Sequence, residues 1–150
     1  MNIRDWSLKE IAQGKPWGHP THAMFVHFPT ALFPVALLLG VLSHLRPSAD
    51  TARVATLVLG LGLLGSVPAV ATGSLDWLGM VRGSTKRNIA SKHMLAQLTA
   101  QLLAAAAFAI HLLSVGSPPS VAALVMLAGA TAVMFGGNWL GGVLVYDVAP

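Results

Sequence analysis

The sequence contains four long apolar runs. They fall approximately at residues 24–45, 53–78, 91–115 and 120–146, and breaks rich in proline, glycine, serine or charge separate them. A helix needs about 20 mostly apolar residues to cross about 30 Å of hydrocarbon. We therefore predict four membrane-spanning helices, called spans one to four in chain order.

The composition agrees with a membrane protein. Of the 150 residues, 55% are hydrophobic and 9% are charged, whereas soluble domains are about 25% charged. Basic loops next to anionic lipid explain the net charge of +4. No soluble domain remains that could bind nucleic acid, so the lipid bilayer is the partner that the composition predicts.

Cysteine is absent from the chain. Its absence excludes disulfides, thiolate-held iron–sulfur clusters, blue copper sites and covalently attached c-type haem. Any cofactor must therefore be held by histidine, methionine, carboxylate or backbone groups.

Short links determine the predicted topology. The segments SHLRPSADT and SVGSPPS join successive spans, and links this short force neighbouring helices to run antiparallel. We predict a single all-α domain, a four-helix transmembrane bundle of up-down-up-down topology in which spans one and three are parallel. Residues 1–23 are mixed polar, so we expect a short interfacial segment rather than a cleaved signal peptide. Its apolar contacts would come from Ile3, Trp6, Leu8 and Ile11.

Basic residues are concentrated at one end of the predicted bundle. Those at that end are Arg4, Lys9, Lys15, Arg82, Lys86, Arg87 and Lys92. Only Arg46 and Arg53 lie at the opposite end. Because an excess of lysine and arginine marks the cytoplasmic side, we expect a multi-pass protein of the inner (cytoplasmic) membrane with both termini in the cytoplasm.

Two histidines are predicted to share a depth inside the bundle. His27 lies about one turn inside span one, and His93 lies near the start of span three, which is parallel to it. Ionisable residues within spans usually face the bundle interior and are functional candidates by default. Diagonal helices of a bundle are on the order of 12 to 14 Å apart, a gap that suits a haem between two imidazoles. We therefore predict haem b with His27 and His93 as axial ligands of its iron.

Further polar groups lie at the same end. His19 and His22 precede span one, and Asp76 ends span two. These three residues are predicted to contribute to the cofactor site, with Asp76 orienting an imidazole ring by accepting its N–H. The candidates for binding the haem propionates or a docking partner also include Arg82, Lys86 and Arg87.

His44 and His111 form a second, weaker candidate site. They lie 17 and 18 residues beyond His27 and His93 on the same spans, roughly 26 Å along the axis by the helical rise. The alternative interpretation of both is a side chain among the lipid head groups, where polar tips are tolerated.

Three motifs resemble one known family. They are GHPTHAMFVHFPTAL at residues 18–32, GSLDWLGMVRGST at residues 73–85 and GGVLVYDV at residues 141–148. Together with a histidine early in span three, they resemble the bacterial membrane family called domain of unknown function 2231, whose members typically open with GHPLHPxxVHFPIAL. Ala23 stands where that family usually has a second proline. The resemblance covers nearly the whole chain and implies a topology and a set of motif positions, not an activity. Those positions are Gly18, His19, Pro20, His22, His27, Pro29, Asp76, His93, Gly141, Gly142 and Tyr146.

The histidines leave three functional interpretations open. The first is electron transfer through bound haem, with a redox protein or a quinone as partner. The second is sensing, storage or transport of a zinc, copper or iron ion, held by imidazole and carboxylate groups; the candidate ligands are His19, His22, His27, His93 and Asp76. The third is a cofactor-free structural subunit, in which the GxxxG pair Gly137 and Gly141 mediates contacts in a homo-oligomer or a larger complex. An independent enzyme is the weaker expectation, because no nucleophile–base pair or phosphate-binding loop stands out.

Overall fold

The computed structural model of the protein describes residues 6–146. Its elements, in chain order, are α1 (Leu8–Ala12), a 3-10 turn (Lys15–Trp17), α2 (Thr21–Phe25), α3 (His27–Leu45), α4 (Ala49–Leu78), α5 (Thr85–Leu112) and α6 (Val121–Tyr146). Four helical segments are long and apolar enough to cross a membrane, and α2 and α3 together form the first of them. The predicted all-α architecture with four spans is confirmed.

Two of the long helices begin earlier than predicted. α4 begins at Ala49 rather than residue 53, because the Ser48 side chain accepts a hydrogen bond from the Thr51 N–H. α5 begins at Thr85 rather than residue 91, because Ser84 caps it in the same way. N-cap serines satisfy N–H groups that the helix leaves unpaired, so both helices extend into polar sequence beyond their apolar runs. The other ends of the spans lie within three residues of the predicted ones.

The first span has a break near its start. α2 ends at Phe25 and α3 begins at His27, with Val26 in helical conformation between them. Pro29 has no N–H, so the carbonyl of Phe25 lacks its usual partner four residues later. The span begins at residue 21 rather than residue 24, and His22 therefore lies within it.

Each span packs against two neighbours. α3 packs extensively on α4, and α5 packs extensively on α6. Smaller contacts join α4 to α5 and α3 to α6, which leaves α3 and α5 on a diagonal. This is the predicted up-down-up-down bundle.

The packed core lies in the half of the bundle distant from the α4–α5 loop. Phe33, Leu59, Leu127 and Met134 are fully buried there. They pack among alanines, which are Ala36, Ala100, Ala104, Ala107, Ala123 and Ala130. Small residues allow helices to approach closely in lipid. The small residues along α5 beyond His93 therefore contact neighbouring helices.

The N-terminal segment begins with a capping box. The Ser7 side chain accepts a hydrogen bond from the Glu10 N–H, and the Glu10 carboxylate accepts one from the Ser7 N–H. This arrangement satisfies two N–H groups at the start of α1. Leu8 is exposed, and Trp6 and Ile11 are half-buried. Ile3 lies outside the described residues, and the interfacial role of this segment stays a prediction.

After α1 the chain folds back onto the end of α4. Gly14 has a φ of 76°, and a Cβ there would collide with the carbonyl oxygen of His19. Glycine adopts this left-handed conformation without steric cost. The fold-back places the Gln13 side chain against Asp76 near the end of α4.

Candidate functional site

A cavity of about 470 Å³ opens among the spans at the basic end, the end of the bundle that carries the α4–α5 loop. Residues of α2, α3, α4, α5 and α6 line it. Its polar lining residues are His22, His27, Thr30, Ser74, Asp76, His93, Gln97, Gln101 and Asn138. The rest of the lining is mainly apolar. Cavities of this size, with a few polar groups in an apolar wall, are typical of cofactor and small-molecule sites.

His22 enters the cavity from α2 and is fixed against α4. Its Nδ1 lies 2.8 Å from the carbonyl oxygen of Ala69. One turn further along α4 lies Gly73, and a Cβ at this position would come within 2.8 Å of the imidazole Cε1 and Nδ1. The missing Cβ therefore gives the ring room to reach the backbone of α4.

His93 has the same arrangement on the other helix pair. It enters from α5, and its Nδ1 lies 2.7 Å from the carbonyl oxygen of Gly137 on α6. One turn further along α6, a Cβ at Gly141 would lie 3.2 Å from the His93 Cε1. The GxxxG pair is therefore used within the chain, where it brings α5 and its histidine against α6. Its predicted role in oligomerisation stays a prediction.

These hydrogen bonds determine which ring nitrogen carries the proton. A carbonyl oxygen only accepts, so Nδ1 of both His22 and His93 must be the donor. In a neutral imidazole, Nε2 then holds the free lone pair. The two rings are neighbours, with centroids 6.2 Å apart and planes at 88° to each other. Metal-binding histidines usually have this arrangement, in which the second nitrogen donates to a backbone carbonyl or carboxylate.

The histidine next to His93 is thus His22, whereas the sequence predicted His27. His27 lines the cavity, but it is exposed, and its Nδ1 lies 3.2 Å from the carbonyl oxygen of Met24 in its own chain segment. His27 is five positions after His22, which is roughly 140° around a helix. The two imidazoles therefore leave the first span in different directions, and His22 takes the interior position.

Asp76 lines the cavity, whereas His19 does not. Gln13 Nε2 donates a 2.7 Å hydrogen bond to Asp76 Oδ1. Asp76 is therefore paired with an amide, and backbone carbonyls orient the imidazoles instead of the carboxylate that the sequence predicted. His19 lines a second, shallower pocket of about 390 Å³, which also includes Asp76.

A polar network crosses the bundle below the histidines. Asn138 Nδ2 donates to Thr30 Oγ1 at 3.2 Å, and Gln97 Nε2 donates to Asn138 Oδ1 at 2.9 Å. The network joins α3, α5 and α6 inside the membrane-spanning region. Gln101 adds a buried Oε1 that has no hydrogen-bond partner among the described residues. Thr30 and Asn138 escaped the sequence prediction, although polar residues within apolar runs are a signal for such sites.

The basic residues near the cavity have separate roles. Arg87 donates from Nη1 to the carbonyl oxygen of Met80 at 2.7 Å, and its guanidinium lies 4.1 Å above the Trp77 ring. It therefore fixes the loop that follows α4. Arg82 is exposed and Lys86 is half-buried, so the two remain candidates for binding an anionic group at this end.

The weaker histidine pair is not brought to the cavity. His44 Nε2 contacts the carbonyl oxygen of Pro119 in the link between α5 and α6. His111 is buried, with its Nδ1 3.4 Å from Thr56 Oγ1 on α4. Because each side chain has a different partner, both are explained as contacts between helices or links. Burial of His111 also removes it from the head-group position that the sequence left open.

The cavity is open on the side away from α4. Its exposed lining residues are Ala23, His27, Leu98 and Val145, whereas every α4 residue in the lining is at least partly buried. Leu98 lies 13 residues after the start of α5, roughly 20 Å along the axis. Leu98 lies within the third candidate span, so this side of the cavity lies along the membrane-spanning part of the bundle.

Within residues 6–146, no group of three or more histidine, cysteine or acidic side chains could hold a metal ion. The predicted set of five ligands is therefore not assembled as one coordination sphere. The close pair of potential ligands is His22 and His93, with the remaining polar contacts supplied by amides and hydroxyls.

His22, Asp76, His93 and Gly141 come from four different spans and all line the cavity. No curated protein and no solved structure matches the chain. The family described as a predicted membrane protein family, DUF2231, matches residues 18–149. The chain belongs to this family.

Proposed function

We propose that the protein is an integral membrane haem b protein that acts in electron transfer, with His22 and His93 as the axial ligands of the iron. The observation that carries the proposal is the histidine pair itself. Two imidazoles from opposite helix pairs line one cavity, each has its Nδ1 proton held by a backbone carbonyl, and each has Nε2 left as a free lone pair.

The spacing of the rings supports a shared metal. A metal bound about 2.0 Å from an imidazole nitrogen lies roughly 3 Å from the ring centre, so two rings on opposite sides of one metal have centres about 6 Å apart. The observed separation of 6.2 Å fits this value. The separation of the ring centres is thus the one that two histidines sharing a metal would have.

The small number of ligands favours haem over a bare metal ion. A structural zinc site needs four protein ligands and a catalytic one needs three, but no cluster of three exists within residues 6–146. A porphyrin supplies four equatorial nitrogens itself, so two histidines are sufficient. The volume and apolar lining of the cavity suit a large, flat, apolar group.

Haem with two imidazole ligands supplies one-electron chemistry and has no open position for oxygen. The protein's own contribution is to hold both rings in one tautomer and orientation. It also excludes water from most of the site by means of the surrounding spans. The opening beside Leu98 gives a lipid-soluble or membrane-bound redox partner access to the edge of the cavity.

The proposal includes the orientation of the chain. The basic end carries the α4–α5 loop and both ends of the described chain, and an excess of lysine and arginine marks the cytoplasmic side. We place the cavity at the cytoplasmic side of the inner membrane. Arg82 and Lys86 are then available to the haem propionates or to a cytoplasmic partner.

The test is the absorption spectrum of the detergent-purified protein, oxidised and then reduced with dithionite, with metal analysis of the same sample. We expect sharp reduced b-type bands that are lost in His22→Ala and in His93→Ala. His27→Ala is the matched control, because it removes an imidazole that lines the same cavity but is exposed, and it should keep the bands.

Each other result points to a different conclusion. Loss of the bands in His27→Ala, with His22→Ala unaffected, would restore His27 as the ligand. A colourless protein with near-stoichiometric zinc, copper or iron would replace haem with a metal ion. A protein with neither haem nor metal would indicate a structural subunit.

A further inference from the structure

Asp76 lies in the wall between two cavities. It lines the histidine cavity on one side and, on the other, the shallower pocket formed by the folded-back N-terminal segment. That segment contributes Gln13, Lys15 and His19 to the shallower pocket. Asp76 is the single acidic residue in the lining of either cavity within the described part of the chain. Asp76 is therefore the acidic side chain that the two cavities share.

The hydrogen bonding at this wall is incomplete. Gln13 Nε2 donates to Asp76 Oδ1, but Gln13 Oε1 is buried and has no partner among the described residues. Buried polar atoms are nearly always satisfied, and an unsatisfied acceptor commonly marks the place of a water molecule. A water molecule beside Gln13 would continue the polar contact from Asp76 into the shallower pocket.

The two histidines are poorly suited to carry protons themselves. Their Nδ1 protons are held by the carbonyls of Ala69 and Gly137. On the proposed function, their Nε2 lone pairs are used by the cofactor. A carboxylate in the same cavity is then the natural site for the charge change that accompanies reduction.

We propose that Asp76 conducts protons between the aqueous phase at the basic end and the histidine cavity, so that reduction of the bound group is coupled to proton uptake at the Asp76 carboxylate. The proposal rests on the proposed function. One electron enters from a reductant, dithionite in the assay, and one proton from water adds to the carboxylate to give the carboxylic acid. No other bond forms or breaks.

The physical reason for coupling is electrostatic. An added electron in a poorly solvated cavity raises the proton affinity of a nearby carboxylate much more than it would in water. Other charged or titratable groups line the two cavities or lie beside the end of α4. They are Lys15, His19, His22, His27 and His93 in the linings, Lys9 beside Gly79 and Arg87 beside Met80.

The first test asks whether water reaches Asp76, and it needs no cofactor. Because the chain has no cysteine, Asp76→Cys introduces a unique thiol. We expect a small, charged methanethiosulfonate to label it in sealed vesicles from the basic-end side. Ser74→Cys is the matched control, because Ser74 lines the histidine cavity but not the shallower pocket, and it should label far more slowly. An Asp76→Cys thiol that labels only after denaturation would overturn the proposal, and so would equal labelling at both positions.

The second test is the midpoint potential as a function of pH. For one proton per electron the potential falls by up to about 59 mV for each tenfold decrease in proton concentration. We expect a clear slope in the wild type and in Asp76→Glu and a flat profile in Asp76→Asn. We expect a wild-type slope in Thr99→Ala, which changes an exposed residue outside both linings. An Asp76→Asn variant with the wild-type slope would refute proton uptake at this residue. A protein that binds no haem would refute the proposed function instead, and thiol labelling would still decide whether Asp76 connects the cavity to water.

Discussion

Replacing Gly73 with alanine is the sharpest perturbation of the histidine site. A Cβ at Gly73 would lie 2.8 Å from the His22 Cε1 and Nδ1, whereas ordinary van der Waals contact begins at 3.4 Å. The ring of His22 must therefore move by about 0.6 Å, the difference between these two distances. The same displacement applied to the 2.8 Å bond to Ala69 would lengthen it to the limit of hydrogen bonding.

The companion variants give a graded series. At Gly141 the corresponding distance to His93 is 3.2 Å, so a displacement of about 0.2 Å is enough. At Gly142, the next residue, no atom lies within 4 Å of the added Cβ. We expect Gly73→Ala to disturb ligation strongly, Gly141→Ala mildly and Gly142→Ala not at all. Overpacking costs about 1–3 kcal/mol in well-packed sites, and the intrinsic helix preference for alanine offsets up to about 1 kcal/mol of this.

On the proposed function, the assay is the ratio of low-spin to high-spin haem in the oxidised spectrum. The stability of the same samples is measured in a detergent-unfolding titration. The predicted order is wild type and Gly142→Ala, then Gly141→Ala, then Gly73→Ala. A Gly73→Ala protein with the wild-type spectrum would show that His22 is not held as a ligand through the Ala69 carbonyl. Equal loss in all three variants would show that the added methyl groups act on the helices in general.

Three further predictions concern stability. Asn138→Leu breaks the hydrogen bonds to Thr30 and Gln97. Because each such bond contributes about 0.6 kcal/mol in a membrane, the free energy of unfolding in a detergent titration should fall by about 1 kcal/mol. An unchanged value would contradict the bridging role of Asn138. Ser84→Ala removes the N-cap of α5 and should cost about 1 kcal/mol, while Ser84→Asp should restore most of it. The pKa of Glu10 lies below its ordinary value because the Ser7 side chain and backbone donate hydrogen bonds to its carboxylate. The stabilisation of α1 is therefore present above the unfolded pKa of about 4.3 and is lost as the pH falls through the lower folded pKa. Amide exchange of α1 should detect this loss in the wild type and not in Glu10→Gln.

The sequence predicted the spans well because apolar length is a property of the residues themselves. It predicted the depth of the site for the same reason, since His93 and Asp76 lie at the end of the bundle that the topology assigns to them. The helix starts were less predictable. Ser48 and Ser84 cap helices inside polar sequence, and an apolar run does not report a polar first turn.

The histidine beside His93 differs from the predicted one, and the ligand assignment itself stays a prediction. His22 precedes the apolar run of span one, so the sequence predicts it in the entry segment and predicts His27 as the interior histidine. The helix in fact begins at residue 21, and the two imidazoles then point in directions roughly 140° apart. The structure gives the interior position to His22, a choice that depends on a helix boundary, which is the least reliable part of any sequence-based prediction.

The sequence did not predict which backbone carbonyls hold His22 and His93. Both Nδ1 atoms bind backbone carbonyls, which every residue type possesses, so Ala69 and Gly137 carry no signal of their own. The signal lies one turn later. In an α-helix the Cβ of a residue tilts toward the N-terminus, over the carbonyl four residues before it, and it would obstruct a ring that approaches that carbonyl from a neighbouring helix. Gly73 follows Ala69 by four residues, and Gly141 follows Gly137 by four. Among the described residues, Gly73 and Gly141 thus mark the carbonyls that hold His22 and His93 in their Nδ1–H tautomers.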